Sequence, residues 1–219
     1  MAELFRPTNQ IEQIKSLPPE IILGKTLRVN KSFIGKPVFR SLDGYPYCIL
    51  SITDFFPPMN AELIEDMADL LIYYGSFDNI DLIVSEADRG GGPLTQAVAL
   101  KTNIPYTLAN WYPIAIPWAI TVKADVGFSG QGNLCIFGLE PGKNVIIVDD
   151  LISTGGTAAA LIEAVRRMGA NINKALFVGE KVNMGGRNVL EDMGVKVTSL
   201  VKFSARLEDG VTVDAGNLF

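Results

Sequence analysis

The sequence predicts an α/β fold, a mainly parallel central sheet flanked by helices, with a small β-rich hood subdomain over its ligand edge. Three observations carry this. The short apolar runs 81–84, 105–109, 145–148, 175–178 and 195–201 are rich in β-branched residues and read as strands, most of them buried on both faces. Between them apolar residues recur at helical spacing, at Ile64, Met67, Ala68 and Leu71 and again at Ala158, Leu161, Ile162 and Val165. Two of the strands run into helices through glycine-rich turns, and strands alternating with helices argue for parallel pairing with right-handed crossovers.

The chain has 219 residues, 48% of them apolar, enough for one full core with a small appended subdomain. We divide it into residues 1–58, an N-terminal helix and the β-rich hood, residues 59–202, the α/β core, and residues 203–219, a tail in which Asp209-Gly210 suits a terminal hairpin. No apolar run approaches the ~20 residues of a membrane span, and Met1 to Arg6 lack a basic region followed by an apolar one, so the expectation is a cytoplasmic protein without membrane contact. Cys48 and Cys135 stand far apart and read as core residues rather than a disulfide or zinc pair. Histidine is absent, which excludes Ser/His and Cys/His hydrolase triads. A net charge of −5 argues against nucleic-acid binding and requires that any site for a polyanion be made positive locally.

Taken in order, residues 8–17 suit a short helix ended by Pro18-Pro19. Residues 27–52 read as short β runs, with a hairpin about Asp43-Gly44 joining Val38-Phe39-Arg40 to residues 45–50. Residues 51–58 read as a loop before the helix of Ile64 to Leu71. The strand 81–84 then enters Ser85-Glu86-Ala87-Asp88-Arg89-Gly90-Gly91-Gly92-Pro93, where proline suits the first helical turn and the glycines admit a close anion. After the strand 105–109, residues 115–123 read as extended chain and 127–132 as a mobile, glycine-rich hairpin tip. Residues 179–187 read as an ordinary connection with no assigned role, and a helix about 188–193 ends at Gly194.

The organising stretch is 145–157. Four apolar residues lead into Asp149-Asp150-Leu151-Ile152 and then Ser153-Thr154-Gly155-Gly156-Thr157 at the start of a helix. Glycines in such a turn allow positive φ, so backbone N–H groups and the helix N-terminus form an anion cradle. Two carboxylates at the carboxyl end of a central strand sit where open α/β sheets bind ligands, and their burial is costly unless a ligand uses them. Neither a Walker loop nor a dinucleotide fingerprint is present.

This stretch resembles the signature of type I phosphoribosyltransferases, an acidic pair followed by a Thr-Gly-Gly-Thr-like loop. The resemblance implies that Asp149 and Asp150 act at the ribose hydroxyls and that Ser153, Thr154, Gly155, Gly156 and Thr157 hold the 5′-phosphate of 5-phosphoribosyl 1-pyrophosphate. Residues 86–90 resemble the pyrophosphate loop of the adenine branch, with Asp88 as an extra residue, implying pyrophosphate contacts from Glu86, Ala87, Asp88, Arg89 and Gly90. Lys123 is the best cation near the expected lid. Asp54 and Pro57 match the base-pocket region of that branch, implying base contacts from Ile52, Thr53 and Asp54 through backbone amides and from Leu151, with Phe55 available to close the slot opposite Leu151.

The implied reaction is transfer of a 5-phosphoribosyl group to a nucleobase nitrogen, a purine and adenine first, with release of pyrophosphate. Mg²⁺ is implied as cofactor, held mainly by substrate with no direct protein ligands, and a homodimer is implied as the assembly. Three positions depart from the pattern. Thr53 stands in place of an arginine, Asn110-Trp111 in place of an Arg-Lys pair, and no lid glutamate is found, only Asp125 a little earlier. They leave open a regulator that binds phosphoribosyl pyrophosphate or a nucleotide on the same fold without turnover.

Overall fold

The computed structural model describes residues 10–126 and 130–214. The elements begin with α1 (Ile11–Lys15), α2 (Pro19–Phe33), β1 (Val38–Arg40), β2 (Pro46–Cys48), α3 (Ser51–Asp54), α4 (Ala61–Tyr74), β3 (Leu82–Glu86), α5 (Gly91–Thr102) and β4 (Tyr106–Ala109). They continue with β5 (Ile120–Val126), β6 (Gly130–Ile136), β7 (Asn144–Ile152), α6 (Gly156–Arg167), β8 (Asn171–Lys181), a short 3-10 turn, α7 (Gly186–Asp192), β9 (Lys196–Arg206) and β10 (Gly210–Val213).

Six strands form the central sheet in the order β10-β9-β8-β7-β3-β4, parallel except for the β9–β10 hairpin at its edge. Alternation along β7 divides the core. Ile146 and Val148 pack into a layer with Val29 and Phe33 of α2, Met67 and Leu71 of α4 and Leu94 of α5. Val145 and Ile147 pack on the other face with Leu161 and Ile162 of α6 and with Val122 and Leu134 of the β5–β6 hairpin. The α/β class with a mainly parallel sheet is thus as the sequence predicts. Cys48 and Cys135 are both free and buried. Among the described residues no helix is long and apolar enough to cross a membrane.

The β1–β2 hairpin forms as expected, with Val38 opposite Cys48 and a left-handed Gly44 in its turn. Much of the rest of the N-terminal segment differs from the sequence reading. Residues 19–33 are helix rather than the start of β runs, because Pro18-Pro19 both closes α1 and opens α2, proline being well suited to the first helical turn. The helical period of α2 is obscured because only Ile22, Val29 and Phe33 carry its apolar stripe, and Lys25, which lies between them, is paired with carboxylates of α4. Residues 51–54 close into one helical turn, α3, instead of a loop.

Strands β8 and β9 run further than their apolar centres suggest. Gly179, Glu180 and Lys181 belong to β8, and residues 203–206 continue β9, so the boundary drawn at 202/203 falls inside a strand. The terminal hairpin about Asp209-Gly210 forms and joins the central sheet. The expected mobile tip 127–132 lies partly outside the described residues, while the hairpin carrying it is packed on α6 through Val122, Ala124 and Leu134.

A buried charge network holds α2 on α4. The Asp66 carboxylate, 1% exposed, accepts from Lys25 Nζ at 2.7 Å and from Arg28 Nε at 2.6 Å, and Lys25 also meets Asp69 at 3.0 Å. Burial works to raise the Asp66 pKa, and the hydrogen bonds from Arg28 and Lys25 overcome it and hold the group below the ordinary carboxylate value. Asp66→Ala should therefore destabilise the fold by about 3 kcal/mol, the low end for breaking a buried pair because Arg28 retains contact with water. Urea denaturation measures this, and an unchanged midpoint and slope would refute it.

Candidate active site

The ends of β3, β7 and β8 meet the hood hairpin around a cavity of about 470 Å³. Into it β7 delivers Asp149, Asp150 and Leu151, β3 delivers Glu86, and the turn to α6 supplies Ser153 to Thr157. Gly155 takes a left-handed φ of 85° and α6 begins at Gly156, so the expected glycine turn leads directly into a helix N-terminus. Gly156 is fixed by another constraint as well: a Cβ there would lie 1.7 Å from the backbone oxygen of Asp125, since β5 runs against the first turn of α6.

Asp149 and Asp150 are 5% and 6% exposed. Asp149 Oδ1 accepts from Ser85 Oγ at 3.3 Å and from the Asp150 amide at 2.9 Å, while Asp150 Oδ2 is buried without a hydrogen-bond partner. Burial, with Asp150 and Glu86 close by, pushes the Asp149 carboxyl well above the ordinary carboxylate value. Burial likewise raises Asp150, and burial together with the Asp150 charge raises Glu86 to about 7 against the hydrogen bond it accepts from Trp111. Three carboxyls therefore compete for the same small volume.

The second glycine turn is shaped by these carboxylates. A Cβ on Gly91 would stand 2.4 Å from Asp149 Oδ1, and one on Gly90 would stand 2.6 Å from Asp150 Oδ2 and 2.1 Å from the Ile52 carbonyl oxygen. Glycine is needed there so that the turn can close on the acidic pair, beyond any freedom it lends to an anion. Arg89, at a left-handed φ of 58°, donates through Nη2 to Asp54 and to the Tyr47 hydroxyl and through Nε to the Thr53 carbonyl at 3.3 Å. Tyr47 donates in turn to Asp54, and burial together with that bond pushes its pKa up to about 12.

Of the residues singled out by sequence, Asp149, Asp150, Leu151, Ser153, Thr154, Gly155, Gly156, Thr157, Glu86, Asp88, Arg89 and Thr53 line the cavity. Five do not. Ala87 is turned outward, its amide bound to the Ala109 carbonyl at 2.8 Å, and Gly90 lies behind the acidic pair. Ile52 is 1% exposed in the core, and the Asp54 carboxylate is occupied by Arg89, Tyr47 and the Leu50 amide. The amides of Thr53 and Asp54 are bonded to the Leu50 carbonyl, so neither is left to read a base. Lys123 faces away because β5 alternates, turning Val122 and Ala124 into the core and Lys123 outward. Phe55 is 42% exposed outside the cavity.

Among the eight lining residues not assigned by sequence are Tyr45, Tyr47, Trp111 and Lys181. Trp111 Nε1 donates to Glu86 Oε2 at 2.8 Å, and its ring lies under Gly132 of the β6 strand, where a Cβ would stand 3.0 Å away. Lys181 Nζ, on a residue 2% exposed, donates to the Tyr45 hydroxyl at 2.7 Å and the Pro46 carbonyl at 3.0 Å. A charged pair at the end of the apolar run 175–178, level with the end of β7, was the available signal.

A hard cation fits the oxygen chemistry of the site in part. Asp150 Oδ2 is an orphaned acceptor, but no group of three or more carboxylate, cysteine or histidine side chains among the described residues is arranged to hold a metal. Any cation would have to complete its shell with oxygens of a bound molecule.

An acidic pair and a glycine turn at a helix N-terminus share one cavity at the carboxyl edge of a parallel sheet. No protein-family model matches the chain. The chain is 34% identical over 188 residues to a hypoxanthine/guanine phosphoribosyltransferase of Methanohalophilus mahii, covering 85% of this chain and 95% of that one. To the protein of the same name from Methanothermococcus okinawensis it is 39% identical over 158 residues, 72% of this chain and 84% of that one. The fold is similar to solved adenine phosphoribosyltransferases from Thermoanaerobacter pseudethanolicus (TM-score 0.66, 22% identity, 80% of this chain and 99% of that one) and Saccharomyces cerevisiae (TM-score 0.64, 23% identity, 80% and 98%). The chain belongs to the type I phosphoribosyltransferase family and is an enzyme of that family.

The crowded carboxyls give the free protein a pH signature. A carboxyl whose pKa is raised by folding stabilises the fold fully below its unfolded value, and that stability is lost as pH rises through the folded value. For Glu86 the window runs from 4.5 to about 7. The melting temperature of the ligand-free protein should fall as pH is raised across this window, and Glu86→Gln should flatten the slope. Equal slopes in parent and variant, followed by scanning calorimetry, would exclude this origin.

Proposed function

We propose that the chain transfers the 5-phosphoribosyl group of 5-phosphoribosyl 1-pyrophosphate to a ring nitrogen of a purine, hypoxanthine or guanine ahead of adenine, releasing pyrophosphate. The observation that carries this is the acidic pair of β7 placed one residue pair before the anion cradle of α6, both open to the same cavity. In the reaction the anomeric carbon gains positive charge as its bond to pyrophosphate breaks and the base nitrogen approaches. Asp149 and Asp150 orient the ribose hydroxyls and lie where that charge develops, and the Ser153 to Thr157 loop anchors the far end of the sugar, so catalysis is positioning and electrostatics. Arg89 meets the leaving pyrophosphate.

Mg²⁺ is part of this proposal. Asp150 would hold it together with substrate oxygens, and it would offset the charge of the pyrophosphate where Trp111 replaces the expected cations. Within the base slot, Leu151 and Thr53 line the cavity and supply walls. Adenine, the first choice from sequence, rests on the matches at Asp54, Pro57 and Glu86 to Gly90. Asp54 and the nearby amides are engaged elsewhere, as described above, and the names of the curated relatives, from 34% identity upward, support the oxopurines.

A panel of hypoxanthine, guanine, xanthine, adenine, uracil and orotate, incubated with phosphoribosyl pyrophosphate and Mg²⁺, should give pyrophosphate and nucleotide with hypoxanthine or guanine fastest. Asp149→Asn and Asp150→Asn should each slow that turnover by about 2–4 kcal/mol in the barrier, the scale of losing one preorganised electrostatic contact. Preference for a pyrimidine, or parental rates in both variants, would overturn the assignment. The proposed assembly is a homodimer, and light scattering that gives the mass of one chain at every concentration would contradict it.

A further inference from the structure

Arg89, set against pyrophosphate in the proposed reaction, is already held by the hood side of the cavity in the free protein. Its Nη2 donates to the Asp54 carboxylate and to the Tyr47 hydroxyl, its Nε donates to the Thr53 carbonyl at 3.3 Å, and its Cζ lies 5.3 Å from the centre of the Tyr47 ring. The side chains of Arg89 and Asp54 are 18% and 16% exposed, so water screens this pair only in part. Asp54 is itself fixed, since its Oδ2 accepts from the Leu50 amide at 2.9 Å and its Oδ1 from the Tyr47 hydroxyl. Arg89 therefore ties the turn after β3 to both β2 and α3.

Charge decides what this tie does. Arg89 lines the cavity and Asp54 does not, and Glu86, Asp88, Asp149 and Asp150 line it as well. With Asp54 against it, the guanidinium brings no net charge to a site already rich in carboxyls. A pyrophosphate competes with Asp54 for the same Nη2 protons, because the planar fork of a guanidinium suits phosphate and carboxylate oxygens alike. A molecule in which Asp54 holds Arg89 must give up that pair before pyrophosphate can take it, so the apparent affinity is reduced to the fraction of molecules in which Arg89 is released.

We propose that Asp54 is a positioning residue that competes with pyrophosphate for Arg89: the hood holds the guanidinium in the free protein and surrenders it when the pyrophosphate end of the substrate enters. The inference rests on the pyrophosphate role of Arg89 within the proposed transfer. Inorganic pyrophosphate and ribose 5-phosphate, each with Mg²⁺, are titrated calorimetrically into the parent, Asp54→Asn, Arg89→Gln and the double variant. Asp54→Asn keeps an oxygen to accept from the Leu50 amide and removes the charge. It should bind pyrophosphate about tenfold more tightly, the effect of abolishing a held state populated at about nine to one, with ribose 5-phosphate binding unchanged. Arg89→Gln should weaken pyrophosphate binding, and adding Asp54→Asn to it should bring no such gain, whereas a carboxylate acting only by long-range repulsion would give the gain with or without Arg89.

A folded Asp54→Asn that binds pyrophosphate no more tightly than the parent overturns the proposal, and so does an equal gain in the Arg89→Gln background. Parental pyrophosphate binding in Arg89→Gln overturns the role of Arg89 and this inference with it. A chain that shows the gain but turns over no base overturns the proposed transfer alone and sustains the exchange. Melting curves of the variants separate loss of the fold from loss of binding. A crystal structure of the parent with pyrophosphate needs no variant: Arg89 should lie beyond the ~4 Å of an ion pair from Asp54, and a complex in which the pair persists overturns the proposal even if Asp54→Asn fails to fold.

Discussion

The burial of two adjacent carboxylates at the end of a central parallel strand is the constraint on which the rest of this structure depends. Asp149 and Asp150 are almost wholly enclosed, and Glu86 is brought beside them by the neighbouring strand. Burial raises all three, and the charge of Asp150 adds to it on Asp149 and Glu86, so the free protein carries unfavourable electrostatics at its centre. Such a site persists only because the surrounding core over-determines it: β7 is buried on both faces, and Gly90 and Gly91 are pressed onto the carboxylates too closely to admit a side chain.

That constraint explains features that look unrelated in the sequence. The glycine run after Glu86 serves the approach of one turn to the acidic pair, and Arg89 takes a left-handed conformation within it, turned toward Asp54 and Tyr47. The β5–β6 hairpin is seated on α6 by apolar contacts and on Trp111 through Gly132, so the described part of this element is a fixed wall of the site. Trp111, in place of a cation, gives Glu86 a hydrogen-bond donor without adding a positive charge.

What could be read from sequence was local. The strand 145–148, its acidic pair and the glycine cradle lie within thirteen residues, and each carries its own signal in spacing and residue type. The same holds for the hairpins about Asp43-Gly44 and Asp209-Gly210. The missed helix α2 had its period interrupted by Lys25, whose partners Asp66 and Asp69 lie some forty residues away. Lys123 was chosen as a cation near the right place in the chain, and strand alternation turned it to the outside. Asp54 matched a motif, but its partner Arg89 is 35 residues on, and their pairing changes what the carboxylate can do. Lys181 and Tyr45, 136 residues apart, meet only because β8 and the hood hairpin converge, which no window along the chain contains.

The hood hairpin links the two ends of the site. Tyr45 and Tyr47 are two residues apart in extended chain, the spacing that sends side chains to the same face, and both line the cavity. Tyr45 reaches the turn into α6 at Ser153, whereas Tyr47 reaches Arg89 on the opposite turn. One short, stiff segment thus contacts both turns that flank the acidic pair. In the proposed reaction those turns hold the 5′-phosphate and the pyrophosphate of a single substrate, separated by the ribose over Asp149 and Asp150.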